Sequence, residues 1–427
     1  MINLAARLKI ERLGQRGEGI AKGEQGAQTL VFVPYALAGE TVLAEVDGQR
    51  GHLAEVLVAS PERITAFCPH FGTCGGCAVQ TLAAPAYAAW KRDLLVQALQ
   101  HAKVNIEVGG LVDAHGSGRR RASFHVRYDS RGKAKVGFMQ ARAHEIVEID
   151  SCPILAPSMQ GALATARALA TTLQASQKPL DIAVTASLSG LDIDIRGHGP
   201  LDASATQRLI QIAERQDLAR LCNHGQRLIE RRIPILRMGR ADVSPPPGAF
   251  LQATEAGEAA LAASVAQALV GAARIADLFS GVGTFALRLA ENARVHAVDS
   301  EETSLAALAK AARAMPDLQD VTIERRDLFR RPLATDELAT FDAVVFDPPR
   351  AGAEAQAKAL AGSTVRLVVA VSCNVQTFAR DAALLCAGGY EITSITPFDQ
   401  FRHSPHVEIV GVFRRPATPK RRRRLLG

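Results

Sequence analysis

The chain has 427 residues, 48% of them hydrophobic and 22% charged, enough length for two or three domains with substantial cores. Its opening stretch, MINLAARLKIERLG, carries charges too early for a secretory signal, and no uncharged apolar run is long enough to span a bilayer, so a cytoplasmic protein without membrane contact is expected. The net charge of +7 excludes less than it suggests, because the end of the chain from Arg414, RRPATPKRRRRLLG, holds seven Lys/Arg and no acid and leaves the remainder about neutral.

Residues 1–60 are short alternating segments punctuated by glycine (LKIERLG, GEGIAKG, TLVFVPYALAGE, TVLAEVDG, HLAEVLVAS), closed by Pro61. Regular strand spacing with turn signals predicts a small β-barrel of oligonucleotide-binding (OB-like) type. Next comes Cys68-Pro69-His70-Phe71-Gly72-Thr73-Cys74-Gly75-Gly76-Cys77, with a further cysteine at Ser151-Cys152-Pro153. In a chain without a secretory signal such cysteines are thiols or metal ligands rather than disulfides. Three clustered thiols and a distant fourth before proline match the ligation habit of iron–sulfur clusters, whereas structural zinc draws on two close pairs. A 4Fe-4S cluster on Cys68, Cys74, Cys77 and Cys152 is favoured over zinc, with unligated thiols as the third reading.

Ala84–Ala102 is helical by periodicity and holds the single tryptophan, Trp90, most simply a core residue. Residues 118–240 mix strands (SFHVRY, KVGFMQ, DIAVTASL, LDIDIRG) with alanine-rich helices over 157–176 and 201–222, an α+β pattern. Cys222 and Cys386 fall in helical patterns and are expected to be structural. Around two of the strands crowd Arg119, Arg120, Arg121, Arg127, Arg131, Lys133, Lys135 and Arg142, where alternation would align several as a phosphate track. The basic tail, 414–427, reads equally as an RNA-contacting arm or a solvated end.

Ser244-Pro245-Pro246-Pro247-Gly248 is the clearest linker, separating a central domain (61–245) from an α/β domain (246–413). Beyond it a helix over 254–270 leads into strand IADLF, a glycine turn (Ser280-Gly281-Val282-Gly283-Thr284) and a helix. Strand RVHAVDS, a helix over 302–314 and strand VTIERRD follow. Gly281 and Gly283 permit a tight turn and close approach of backbone to a ligand. As G-x-G-x-x-A the turn also fits a dinucleotide fold and is weak alone. Asp277, Asp299 and Asp327, together with Asp347 in FDAVVFDPPRAG, tip it toward S-adenosylmethionine, since four acidic strand ends in register are not cheap to obtain as four helix N-caps. The buried-strand runs Val344–Phe346 and Leu367–Val371 stop at Asp347-Pro348-Pro349 and Ser372-Cys373-Asn374. A Rossmann-like parallel sheet would therefore project Asp347 and Cys373 into one crevice. Free cysteines are commonly small buried hydrophobes, but the polar neighbours of Cys373 argue for a loop.

Taken together, these motifs resemble bacterial RNA uracil-C5 methyltransferases, most closely the branch acting on 23S rRNA. The likeness runs over nearly the whole chain: GEGIAKG…VFVPYALAGE, CPHFGTCGGC with Cys152, FLQAT around Gln252, DLFSGVGTF, FDPPRAG, SCN and HVE. It implies a TRAM-like barrel, the cluster on the four cysteines, and a class I S-adenosylmethionine methyltransferase domain. Gln252, Phe279, Thr284, Asp299, Asp327 and Asp347 would line the pocket for cofactor and target base. Cys373 would be the nucleophile and Glu408 the base. It also implies a monomer whose partner is RNA rather than DNA. Val375 stands where the family usually has proline, and Thr284 where it has asparagine. By strand alternation alone Glu408 would face solvent, between Val407 and Ile409; only the resemblance gives it a catalytic role.

The chemistry suits those residues. Carbon 5 of uracil becomes nucleophilic only after a thiolate adds at carbon 6, and the carbon 5 proton must later leave to a base. The target base must also leave its stack to expose carbon 6. Two rival expectations remain: methylation of another uridine, in tRNA or elsewhere in rRNA, and a non-catalytic RNA-binding or assembly protein.

Overall fold

The computed structural model describes residues 5–23, 29–141, 143 and 145–416; Arg142 and the tail beyond Pro416 lie outside the described residues. Alternation in β1 (Ala5–Leu13) sends Leu8 and Ile10 inward. With β2 (Gly19–Lys22), β3 (Leu30–Val33), β4 (Thr41–Asp47) and β5 (Arg50–Val58) it closes a five-stranded barrel in the order β1-β2-β3-β5-β4. Closure is why Gly51 must be glycine, since a Cβ there would lie 2.7 Å from Cγ2 of Val33. At the barrel exit the buried Glu40 carboxylate accepts the backbone N–H groups of Leu37 and Ser60 and pairs with Arg63. Burial pushes its pKa up, but Arg63 and the two N–H groups win, and the net shift is down.

Helix α1 (Ala84–His101) has no side-chain cap, so its stability comes from the face it buries. Tyr87, Trp90, Lys91, Leu94, Leu95, Ala98 and Leu99 recur at helical spacing and are buried. Trp90 also ties the helix to the barrel, its Nε1–H donating to the Gly14 carbonyl at 3.1 Å. Although α1 and β6 (Val112–Asp113) fall in sequence within the 61–245 segment, neither packs there. Leu94, Leu95 and Leu99 share a core with Phe346, Val368, Phe378 and Leu385 of the C-terminal half, and β6 extends its sheet.

The central sheet has the order β13-β12-β11-β10-β7-β8-β9. Its strands are β7 (Arg121–Tyr128), β8 (Ala134–Met139), β9 (Ile146–Glu148), β10 (Leu180–Ser187), β11 (Gly190–Arg196), β12 (Arg220–Asn223) and β13 (Gln226–Glu230). Helices α2 (Ala162–Thr172) and α3 (Ala203–Arg215) share its apolar core. The helix expected over 201–222 stops early: Asp217 takes a left-handed φ of 51°, and the alanine-rich remainder turns into β12, which places Cys222 buried in a strand.

The hairpin β14 (Leu236–Met238) and β15 (Ala241–Val243) leads into the C-terminal α/β layer. In chain order this contains α4 (Glu255–Ala268), β16 (Arg274–Leu278), α5 (Ala286–Leu289), β17 (Arg294–Asp299), α6 (Glu302–Arg313) and β18 (Val321–Arg325). There follow α7 (Thr335–Leu338), β19 (Ala343–Phe346), α8 (Glu354–Gly362), β20 (Leu367–Ser372), α9 (Val375–Ala387), β21 (Glu391–Asp399) and β22 (Glu408–Arg414). The sheet order is β18-β17-β16-β19-β20-β22-β21-β6. Strands β16 to β20 pair in parallel, and β22 runs antiparallel to both β20 and β21. Apolar cores cover both faces, so these strands read as continuous hydrophobic runs. Among the described residues no helix is long and apolar enough to cross a membrane.

Because α1 covers one face of that sheet, Leu95→Ala should cost about 2–5 kcal/mol of stability in the C-terminal half. Urea unfolding followed by the fluorescence of Trp90, on the same helix, should show an earlier transition, and an unmoved midpoint would reject this role for α1.

Candidate active site

Strand direction brings the expected residues together. Asp347 follows β19 and Cys373 follows β20, at the carboxyl ends of adjacent parallel strands. Because β22 runs the other way, its first residue, Glu408, lies at that same edge: Ile409 pairs with Ser372, so Glu408 is level with Cys373. The sequence pattern would have turned Glu408 to solvent. Instead it is 1% exposed, because β22 is an interior strand covered on both faces. Cys373 is half-buried and in electrostatic reach of Glu408, Asp347 and Arg350. Asn374 caps α9, its Oδ1 accepting the N–H groups of Gln376 and Thr377, and so fixes the turn that carries the thiol. That cap makes Val375 tolerable at the first helical position, where proline is otherwise favoured.

A chain of amides joins the two carboxylates. The backbone N–H of Ala253 donates to Oε1 of Gln400 at 2.8 Å, which obliges the Gln400 amide NH2 to face inward. That NH2 donates to Oε1 of Gln252 (2.5 Å) and to Oε1 of Glu408 (3.0 Å). Gln252, its oxygen now taken, donates its own NH2 to Oδ2 of Asp347 at 3.2 Å. Backbone donors, Ala253 N–H and more weakly Thr254 N–H at 3.4 Å, thus set the polarity of the whole chain, and Oε2 of Glu408 is left buried without a hydrogen bond. Sequence reasoning found Gln252 but missed Gln400, an amide in no motif that precedes Glu408 on the neighbouring strand.

The electrostatics follow from burial. Burial raises the pKa of Asp347, and burial followed by the Asp347 charge raises that of Glu408, with Gln400, Arg350 and Lys91 pulling the other way. The Cys373 thiol is pushed up to about 11 by burial, then by Glu408 and Asp347, with Arg350 opposing. Burial therefore favours the uncharged forms, with Arg350 and Lys91 as the opposing cations.

The glycine turn lies along the same edge. Phe279, Gly281 and Gly283 all take positive φ. A Cβ on Gly283 would meet Leu308 Cδ1 at 2.5 Å, so that glycine serves packing, while Gly281 faces open space. Asp299 binds the turn itself, Oδ2 accepting Gly281 N–H (2.9 Å) and Oδ1 accepting Glu301 N–H (2.8 Å). Asp327 accepts the N–H of Phe329 at 3.0 Å, so both acids hold the turns that follow their strands, although neither is the N-cap of a helix. Asp277 is fully buried, with only a weak approach from the Ala286 N–H, and burial raises its pKa strongly. The Phe279 and Phe329 rings sit 5.4 Å apart, and Thr284 stands half-buried between Gly283 and α5.

Cys68, Cys74, Cys77 and Cys152 line one cavity of about 420 Å³ with Arg119, Arg121, His125, Phe401 and Arg402. Among the described residues no three His, Cys, Asp or Glu side chains are grouped closely enough to hold one metal ion. A Cβ on Gly75 would lie 2.9 Å from the Met139 carbonyl, so this loop wraps tightly along β8. Gly76 N–H points at the Cys74 sulfur at 3.5 Å, and the N–H groups of Ile154 and Leu155 at that of Cys152. The four thiols thus border one cavity, with backbone N–H donors aimed at two of the sulfurs.

The expected phosphate track is only partly realised. Arg119 packs over Phe401, Arg120 pairs with buried Glu258, and Arg121 donates to the Leu251 carbonyl at 2.7 Å. These three turn into the seam between the halves because their partners lie there; Arg131, Lys133 and Lys135 stay exposed on the β7–β8 hairpin.

The family model for tRNA (Uracil-5-)-methyltransferase matches residues 259–415. An uncharacterised RNA methyltransferase of Mesorhizobium japonicum is 45% identical over 99% of this chain and 100% of its own length. The 23S rRNA (uracil(1939)-C(5))-methyltransferase RlmD of Halomonas elongata is 33% identical over 97% of this chain and 90% of its own. The chain belongs to the RNA uracil-C5 methyltransferase family. It is an S-adenosylmethionine-dependent RNA methyltransferase acting at uracil carbon 5. The fold agrees along its whole length with the tRNA (uracil-54, C5)-methyltransferase of Pyrococcus abyssi, solved with S-adenosyl-L-homocysteine, at TM-score 0.73 and 23% identity over 95% of this chain and 99% of that one.

In this methyltransferase the buried Glu408 carboxyl has a testable cost. Folding raises its pKa, so the folded chain holds the proton more tightly than the unfolded one. The associated stability is full below the ordinary carboxylate range and is lost as pH rises toward the raised value. Glu408→Gln should therefore stabilise the protein by about 1–3 kcal/mol at pH 9 and by almost nothing at pH 5, read from thermal midpoints at both.

Proposed function

We propose that this methyltransferase modifies a uridine of 23S rRNA, with Cys373 as nucleophile and Glu408 as general base. The observation that carries the reading is the convergence of a half-buried thiol, two carboxylates and the glycine turn on one sheet edge, with one Glu408 oxygen left without a hydrogen bond. The 23S rRNA assignment is supported by the name of the Halomonas elongata relative.

Once its proton has passed to solvent, the Cys373 thiolate bonds to uracil carbon 6, and the electrons of the 5,6 double bond pass into an enolate that makes carbon 5 nucleophilic. S-adenosylmethionine, when bound, supplies an electrophilic methyl group, and its positive charge would lower the thiol pKa. The base is held flipped out, with Asp347 and Gln252 available to its polar edge. After carbon 5 is methylated, Glu408 Oε2 takes the carbon 5 proton. The electrons left behind restore the double bond and expel the Cys373 thiolate. Gln252, Phe279, Gly281, Gly283, Thr284, Asp299, Asp327 and Asp347 line the cofactor and base pocket in this reading.

The cavity of Cys68, Cys74, Cys77 and Cys152 would hold a 4Fe-4S cluster in a structural or RNA-orienting role. The protein would act as a monomer in the cytoplasm.

Incubation with 5-fluorouridine RNA and cofactor should give a covalent adduct on denaturing gels, because fluorine cannot leave as a proton does. Cys373→Ala should abolish it, and an unchanged yield would remove the nucleophile. With ordinary uridine RNA, Glu408→Gln should accumulate the corresponding 5-methyl adduct, which still carries its carbon 5 proton. Anaerobic purification should yield about four irons per chain; stoichiometric zinc would reject the cluster. Mapping of 5-methyluridine in rRNA and tRNA from cells with and without the gene decides the substrate, and loss confined to tRNA would overturn the rRNA reading.

A further inference from the structure

We infer that Gln400 is a positioning residue for proton removal, aiming Glu408 so that Oε2 alone is free to receive the proton. The inference rests on the reading of Glu408 as base and adds to it a residue outside the pocket lining.

Asp399 is the last residue of β21 and Gln400 follows it directly, and their side chains reach different partners, Lys91 and Tyr87 for Asp399 and Gln252 and Glu408 for Gln400. Asp399 is clamped from one side: Oδ1 accepts from Lys91 Nζ at 2.5 Å and Oδ2 from the Tyr87 hydroxyl at 2.6 Å, all three residues being buried. Lys91 Nζ also donates to the carbonyls of Phe401 (3.1 Å) and His406 (2.6 Å), pinning both ends of the loop that joins β21 to β22. With that backbone fixed, Gln400 has one orientation, set by the N–H groups of Ala253 and Thr254 on its Oε1. It is 0% exposed and reaches both Gln252 and Glu408 through one nitrogen.

An amide at this place does what a carboxylate or an apolar side chain would not. It donates to Oε1 of Glu408, engaging one oxygen and leaving the other. It also favours the ionised carboxylate, against the burial and the Asp347 charge that oppose it. The charged and titratable groups facing Glu408 are Asp347 and Arg350 after β19, Cys373 after β20 and Lys91 on α1. Gln400 is the neutral donor among them.

The test uses the full-length protein in single-turnover reactions with uridine RNA and S-adenosylmethionine, quenched onto denaturing gels at several pH values. Gln400→Leu removes the donor, and Gln400→Glu keeps the acceptor for Ala253 but puts a carboxylate beside Glu408. In both, breakdown of the covalent adduct should slow about tenfold or more while its formation changes less than about threefold. The pH midpoint of breakdown should move upward, further for Gln400→Glu. Breakdown at the parental rate and midpoint in both variants, or equal loss of formation and breakdown in Gln400→Glu, overturns the inference. Glu408→Gln serves as the control. If it accumulates adduct and the Gln400 variants do not, the positioning role alone fails; if it does not, the base assignment fails and the inference with it.

Discussion

One reversed strand decides where the chemistry can happen. Had β22 run parallel to β20, its first residue would sit a strand length away, about 20 Å for six residues. Antiparallel insertion between β20 and β21 instead brings Glu408 beside a thiol that ends a strand running the other way. The rest of the site accommodates that placement. Interior position makes the carboxylate buried, burial raises its pKa, and the raised pKa demands a neutral donor such as Gln400.

The polar groups divide into those satisfied by backbone or side-chain partners and those left unsatisfied. Asp299 and Asp327 spend oxygens on turn N–H groups, Glu40 and Thr254 hold junctions in the same way, and Asp399 is met by Lys91 and Tyr87. Asp277 and one oxygen of Glu408 are among the exceptions. An unsatisfied acceptor in low dielectric is costly, and such groups persist where a ligand or proton is to be met. Glu408 lies beside the thiol, and Asp277 lies under the glycine turn, within electrostatic reach of Asp347 and Asp299.

Much of this was legible in the chain. Parallel strands announced themselves as short apolar runs ending in Asp347 and Cys373, and the glycine turn stood between a strand and a helix. Glu408 was not legible from pattern, because alternation presumes one wet face and β22 has none. Gln400 gave no signal, since an amide becomes informative only once its partners are known to be Gln252 and Glu408. Arg119, Arg120 and Arg121 looked like a surface stripe; their partners lie far along the chain, at Phe401, Glu258 and Leu251. The helix expected to reach residue 222 failed for a local reason, alanine and leucine being at home in a buried strand once Asp217 has broken the turn.

Helix α1 finally bears on how such a protein can be divided. The gene's order suggests three modules exchangeable like beads, yet the third is roofed by a helix encoded near the start of the second. Recombination at the proline-rich linker would hand a new host a sheet stripped of its roof, and with it the lysine that pins the loop before Glu408. Inheritance as a single unit is what this wiring enforces.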